Sequence, residues 1–183
     1  MKINLRVPDA MLLIALCVSC TQMPARAATL LAQNDPSPPA TAAVPMDKPI
    51  LTISGNITAD GGSASFSRKQ LEAIGLVKIT TKTPWYPRVS TFEGVPLKKL
   101  LDSVGAHGTT LTAVALNDYS SDIPLSDIEQ YPVILAMKRD GDFMPVSDKG
   151  PLFVMYPFDS RPELQDQKYY GRAVWQISKL VVH

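Results

Sequence analysis

A tryptophan held between two prolines, Pro84-Trp85-Tyr86-Pro87, is the residue of this chain best equipped to meet a ligand. Proline fixes φ and lacks an N–H, so a segment braced in this way is too stiff and irregular for a strand interior. Core burial is the ordinary use of an aromatic residue, and this setting makes it a weaker account of Trp85; a flat indole on a rigid loop is also a platform for a ring-shaped ligand. The other chemistry-bearing residues say less by themselves. Asn117-Asp118-Tyr119 follows an apolar run, where Asn and Asp commonly serve a turn. Arg172 reads as an exposed cation unless a ligand carboxylate or a partner claims it. His107 sits in a turn beside Gly108, and His183 stands far from it in sequence with no second ligand nearby, which makes no metal site. Ser90, Ser121 and Ser147 lack a recognisable base or nucleophile elbow, so nothing supports hydrolase chemistry.

These residues need elements to position them. Pro96 suits the first position of a helix, Leu97, Leu100, Leu101 and Val104 fall on one face, and Gly105 can take the left-handed conformation that ends it. Ser67 and Gln70 have capping-box spacing for an earlier helix that Gly75 closes. Strands are expected at 50–56, around Ala64 and Phe66, at 76–81 leading into the Trp85 loop, at 110–116, at 133–137 and at 152–155. Pro124 and Ser126 open a short helical turn. Tyr156-Pro157-Phe158-Asp159 ends a strand, 164–171 is polar and reads as loop, and a last strand over 174–182 carries Trp175 as a core residue. Many strands with a few short helices imply an α+β domain.

The 183 residues suffice for one domain with a real core, and 45% hydrophobic with 19% charged residues is ordinary globular composition. Lys2 and Arg6 precede an apolar run from Met11 to Val18, and Ala25-Arg26-Ala27 is a small-x-small cleavage site, so residues 1–27 read as a secretory signal peptide. Lipid attachment at Cys20 is the alternative, disfavoured because Cys17 stands where Leu is usual. Cleavage would remove both cysteines, leaving no thiolate for a metal or a nucleophile. It would also take Lys2, Arg6 and Arg26 from the 18 basic residues and Asp9 from the 17 acidic ones, leaving 15 against 16. That balance gives no support to nucleic acid or anionic membrane as a partner. Residues 28–48, rich in Ala and Pro, read as a disordered tether, and 49–183 as the folded domain.

With these pieces in place, residues 50–183 resemble the oxidoreductase molybdopterin-binding domain, the sulfite oxidase fold. The resemblance is carried by Phe92-Glu93-Gly94-Val95-Pro96-Leu97 with Leu100-Leu101 and Gly105, and by Asn117-Asp118-Tyr119 before Ile123-Pro124-Leu125. It continues through Val133-Ile134-Leu135-Ala136 and Asp140-Gly141, Gly150-Pro151-Leu152 before Tyr156-Pro157, and Trp175. Enzymes of that family hold molybdenum through a cysteine upstream of the Gly-x-Pro-Leu element, and here that position falls at or near Lys82. They place an arginine after their Gly-Pro element where this chain has Leu152-Phe153, and their basic phosphate grip is reduced here to Arg172 within Gly171-Arg172-Ala173-Val174-Trp175.

The resemblance with these departures implies a pocket that keeps the pterin ring and loses the metal and phosphate anchors. Trp85, or failing it Tyr156, would then stack on the ring, and Asp118, or failing it Asp159, would accept the paired donors of the pyrimidine edge. Asn117 and Tyr119 would complete the edge contacts, with Arg172 as a further candidate contact. The chain is also similar to small secreted metal-free relatives that bind reduced pterins and regulate a membrane cyclic-di-GMP enzyme through its periplasmic domain. A periplasmic, non-catalytic pterin-binding regulator is the expectation. A molybdopterin-dependent oxidoreductase and a ligand-free interaction module are the alternatives.

Overall fold

Alternation decides the first strand. In β1 (Pro49–Gly55) Leu51 and Ile53 are buried while their neighbours are not, so one face of the strand belongs to the core. β1 pairs antiparallel with β2 (Ser63–Ser67) and parallel with β10 (Ile177–Val182). The parallel pairing joins the first and last strands of residues 46–183, which are the ones the computed structural model describes. β10 pairs in turn with β5 (Thr110–Ala115), and β5 with β6 (Ser120–Pro124), giving a five-stranded sheet of order β2-β1-β10-β5-β6. The second sheet runs β3 (Val77–Thr83), β4 (Tyr86–Pro96), β7 (Ile134–Arg139), β8 (Asp142–Phe143), with β9 (Phe153–Met155) also on β7. The segment read as a signal peptide, the Cys20 alternative and residues 28–45 of the stretch read as a tether lie outside the described residues.

Four short helices link the strands: α1 (Arg68–Ile74), α2 (Leu97–Ser103), α3 (Leu125–Gln130) and α4 (Gln167–Arg172). α1 begins on a reciprocal capping box, in which the Gln70 N–H donates to Ser67 Oγ at 3.3 Å and the Ser67 N–H to Gln70 Oε1 at 2.8 Å. α2 buries Leu97, Leu100 and Leu101, and Val104 follows in the core. Its end is a Schellman motif: Gly105 has φ 61°, the Ala106 N–H donates to Leu101 O at 3.0 Å, and the Gly105 N–H to Asp102 O at 3.1 Å. Pro96 stands one place earlier than the sequence suggests, as the cap preceding the first helical residue.

Both sheets feed one core, with Leu51, Ile53, Leu111 and Leu180 from the first and Phe92, Val95, Leu135 and Phe153 from the second. At Gly94 β4 passes so close to β7 that an added Cβ would collide with the Leu135 carbonyl oxygen. Two sequence expectations are corrected. The stretch 164–171 is not all loop: it enters α4, whose first N–H groups are met by Asp166 at the cap, Oδ1 accepting from the Lys168 N–H at 2.8 Å. The final strand begins only at Ile177, because Gln176 has φ 56° and interrupts extended backbone. Trp175 therefore lies in the link before β10, tied to the sheet by a single bridge to Phe153.

Candidate ligand-binding site

Thr83 pairs with Tyr86, so Pro84 and Trp85 form the two-residue tip of the β3–β4 hairpin. That tip opens on a cavity of about 560 Å³, within the range of small-molecule sites. The second wall is the loop joining β5 to β6, which contributes Asn117 and Tyr119. The third is α4 with the link that follows it, contributing Gln167, Tyr170, Gly171 and Trp175. Both tryptophans of the chain line this cavity, with two tyrosines and two carboxamides, and none of the lining side chains is charged.

The aromatic wall is assembled edge to face. Trp85 meets Trp175 at 5.7 Å between ring centroids, Phe153 at 5.3 Å, and Phe158 and Tyr170 at 6.0 Å, with interplanar angles from 63° to 81°. Edge-to-face packing supports an aromatic ring through its rim. The hairpin behind it is anchored by Tyr86, whose hydroxyl donates to Asp148 Oδ1 at 3.0 Å and whose ring lies beneath the Arg139 guanidinium at 4.0 Å.

Burial, and next the hydrogen bond to Asp148, push the Tyr86 hydroxyl up to about 12. An unfolded tyrosine ionises near pH ~10, so the stability contributed by the folded, protonated phenol is complete below that pH. It is lost as the pH rises through about 12. Urea unfolding of Tyr86→Phe beside the wild type should show the stability gap between them shrinking from neutral pH to the alkaline limit. A gap that stays constant would mean that this hydroxyl is not linked to folding.

The residues singled out from the sequence divide. Trp85, Asn117 and Tyr119 meet at the cavity. Asp118, between two lining residues, does not line it; its φ of 63° and the Asn117 Oδ1 acceptor for the Tyr119 N–H at 3.2 Å shape the turn. Tyr156 is fully buried, so it offers no open face for stacking. Its hydroxyl donates to Asp127 Oδ2 at 3.0 Å, and burial, then the Asp127 charge, raise its pKa far above the ordinary tyrosine range. Arg172 is neither exposed nor available to a ligand, because its Nη1 donates to the same Asp127 oxygen at 2.6 Å. Asp159 accepts the Lys82 N–H on β3 at 2.6 Å and lies in a neighbouring cleft.

Tyr170, Gln167 and Trp175 complete the cavity and were not anticipated there. The adjacent tyrosines Tyr169-Tyr170 in a polar stretch were the available signal: Tyr169 packs inward and Tyr170 faces the cavity. Arg172 and Asp127 act at one remove, by pinning α4, which bears three of the lining residues, to α3.

The architecture is a mixed α+β domain of two sheets and a few short helices, with an aromatic cavity between two hairpin ends and α4. No family model matches the sequence, and no curated protein matches it. Among solved structures the chain is similar to the sulfane dehydrogenase SoxCD from Paracoccus pantotrophus, with a TM-score of 0.56 and 17% identity. The similarity covers 75% of this chain and 38% of that one, so this chain spans well under half of its length. The likeness is one of fold, and it supports the sulfite-oxidase-like fold implied by the sequence.

The molybdenum centre of the oxidoreductases requires a soft sulfur donor. Lys82 stands at or near the corresponding position, and the chain's two cysteines, Cys17 and Cys20, precede the described residues. No group of three or more His, Cys, Asp or Glu side chains gathers among the described residues. Among the described residues no thiolate is present to fit such a centre.

Proposed function

We propose that this protein binds a metal-free pterin in the Trp85 cavity without transforming it, and that the bound ligand regulates a membrane partner. The observation that carries the reading is the composition of the cavity wall: four aromatic side chains for the flat faces of a ring, and the Asn117 and Gln167 amides as donors and acceptors for its edge. A neutral, aromatic wall suits an uncharged heterocycle better than it suits a phosphate, which calls for several charge-assisted donors. Contacts worth ~0.5–1.5 kcal/mol for each aromatic and each hydrogen bond are enough for about micromolar affinity after ordering costs. The regulatory part of the proposal, with a periplasmic setting and a cyclic-di-GMP enzyme's periplasmic domain as partner, is supported by the signal-like and Pro-rich segments of the sequence.

A second reading, an oxidoreductase using molybdopterin, draws on the shared fold with a dehydrogenase. It would require a metal ligand other than cysteine within residues 46–183. Tryptophan emission separates the two, because both tryptophans lie in the cavity wall. Titration with tetrahydropterin or dihydropterin should quench that emission saturably at micromolar concentration without added metal. Absence of quenching, with calorimetry also silent, would refute pterin binding.

A further inference from the structure

A groove of about 300 Å³ lies over the start of β1. Ile50 and Thr52 of that strand line it, with Ser178 of β10, Leu116 just beyond β5, and Val146 and Pro151 from the segment between β8 and β9. Leu116 is 52% exposed and Val146 43%, so these apolar walls have no cover within residues 46–183. Exposed apolar surface of this kind marks a contact. The walls are also held in place. Gln176 accepts the Leu116 N–H on its backbone oxygen at 2.9 Å and donates from Nε2 to Val146 O at 2.7 Å.

Lys48 and Pro49 form one end of this groove, and the described chain begins two residues earlier, at Met46. The eight residues before Met46 are Pro38-Pro39-Ala40-Thr41-Ala42-Ala43-Val44-Pro45, without a charge among them. Extended, eight residues reach roughly 26 Å, enough to fold back over a groove that begins at Lys48. We infer that residues 38–45 of this chain seat in the groove and cover Leu116 and Val146. Lys48 is the one charged residue in the lining, so apolar fit rather than charge selects the occupant. The three prolines bring no N–H, which leaves fewer donors to satisfy against apolar walls. Nine lining residues are few beside the roughly 20–30 a side of a stable interface between separate proteins. A tethered segment needs less, because its effective concentration is about millimolar. Leu116 leads directly into Asn117, and Gln176 follows Trp175, so a seated segment lies one residue from two walls of the ligand cavity.

Disulfide trapping tests this in the full chain with Cys17 and Cys20 replaced by serine, which leaves no other cysteine. Ala42→Cys is combined with Val146→Cys in the groove or with Lys69→Cys. Lys69 is exposed and its N–H donates to Met46 O at 3.2 Å, so an unseated segment would meet it at least as often. Under oxidised glutathione the groove pair should close within one chain roughly tenfold faster than the Lys69 pair. Ala40→Cys repeats the comparison in a second register. Val44→Glu, which sets a charge against the apolar walls, should bring the groove pair down to the Lys69 rate. Equal rates for both partners in both registers, or a groove pair indifferent to Val44→Glu, would overturn the inference. Disulfides joining two chains would overturn it as well and assign the groove to a second copy.

Discussion

Asp127→Ala is expected to lower the unfolding free energy by about 3–5 kcal/mol, the usual cost of removing one partner of a buried ion pair. Asp127 has 9% of its side-chain surface exposed and serves two donors through one oxygen, Arg172 Nη1 at 2.6 Å and the Tyr156 hydroxyl at 3.0 Å. Without it, a guanidinium with 16% of its side-chain surface exposed and a fully buried phenol are left unpaired together. The loss should be recovered by replacing the whole group with apolar residues of similar size. The triple variant Asp127→Leu, Arg172→Met, Tyr156→Phe is expected within ~1 kcal/mol of the wild type. Urea unfolding of the two variants decides the matter, and a loss below about 1 kcal/mol for Asp127→Ala would mean that the pair does not hold α3 to α4.

Trp85→Ala is expected to weaken pterin binding roughly 30- to 100-fold, the equivalent of about 2–3 kcal/mol for truncating a central aromatic anchor. The side chain supplies a wall of the cavity, and its edge contacts with Phe153, Phe158, Tyr170 and Trp175 hold the remaining aromatic groups in register. The same truncation opens a void beside Phe153, so some loss of stability accompanies it. Trp85→Phe, which retains a ring on the hairpin tip, separates the effects by restoring stability and part of the affinity. Affinities come from calorimetry, since the substitutions remove one of the two fluorophores. A folded Trp85→Ala protein with wild-type affinity would place the ligand elsewhere.

Local chemistry made much of this fold legible before any coordinates. Ser67 and Gln70 are three residues apart and satisfy each other's backbone partners, so their spacing alone announces α1. The Leu97, Leu100, Leu101 and Val104 face with Gly105 beyond it identifies α2 for a similar reason. Trp85 was read on a stiff proline-braced loop; the structure instead sets it at the tip of a hairpin whose second strand, β4, takes in Pro87, because most of the pairing with β3, from Val77 with Gly94 to Thr81 with Ser90, is made by residues away from either proline. What escaped depends on partners distant in sequence. α4 is polar along its length, and the ion pair that holds its last residue joins positions 45 apart, so periodicity had nothing to report. Arg172 was taken as an exposed cation for want of any local sign of Asp127.

Trp175 shows the opposite error. Apolar neighbours at Val174 and Ile177 suggested an alternating strand, but the left-handed backbone at Gln176 breaks that alternation and leaves the indole 38% exposed at the cavity. The Asn117-Asp118 pair was legible both as a turn and as a ligand contact. The structure uses it for both, giving Asp118 the strained position and Asn117 the cavity wall.

The most direct measurement is to purify the full chain from its own cells, denature it, and determine in one preparation both the released small molecule by mass spectrometry and the molybdenum content by elemental analysis. A pterin, near one per protein and without molybdenum, is the expected result. Molybdenum in equal amount with the protein would contradict the account.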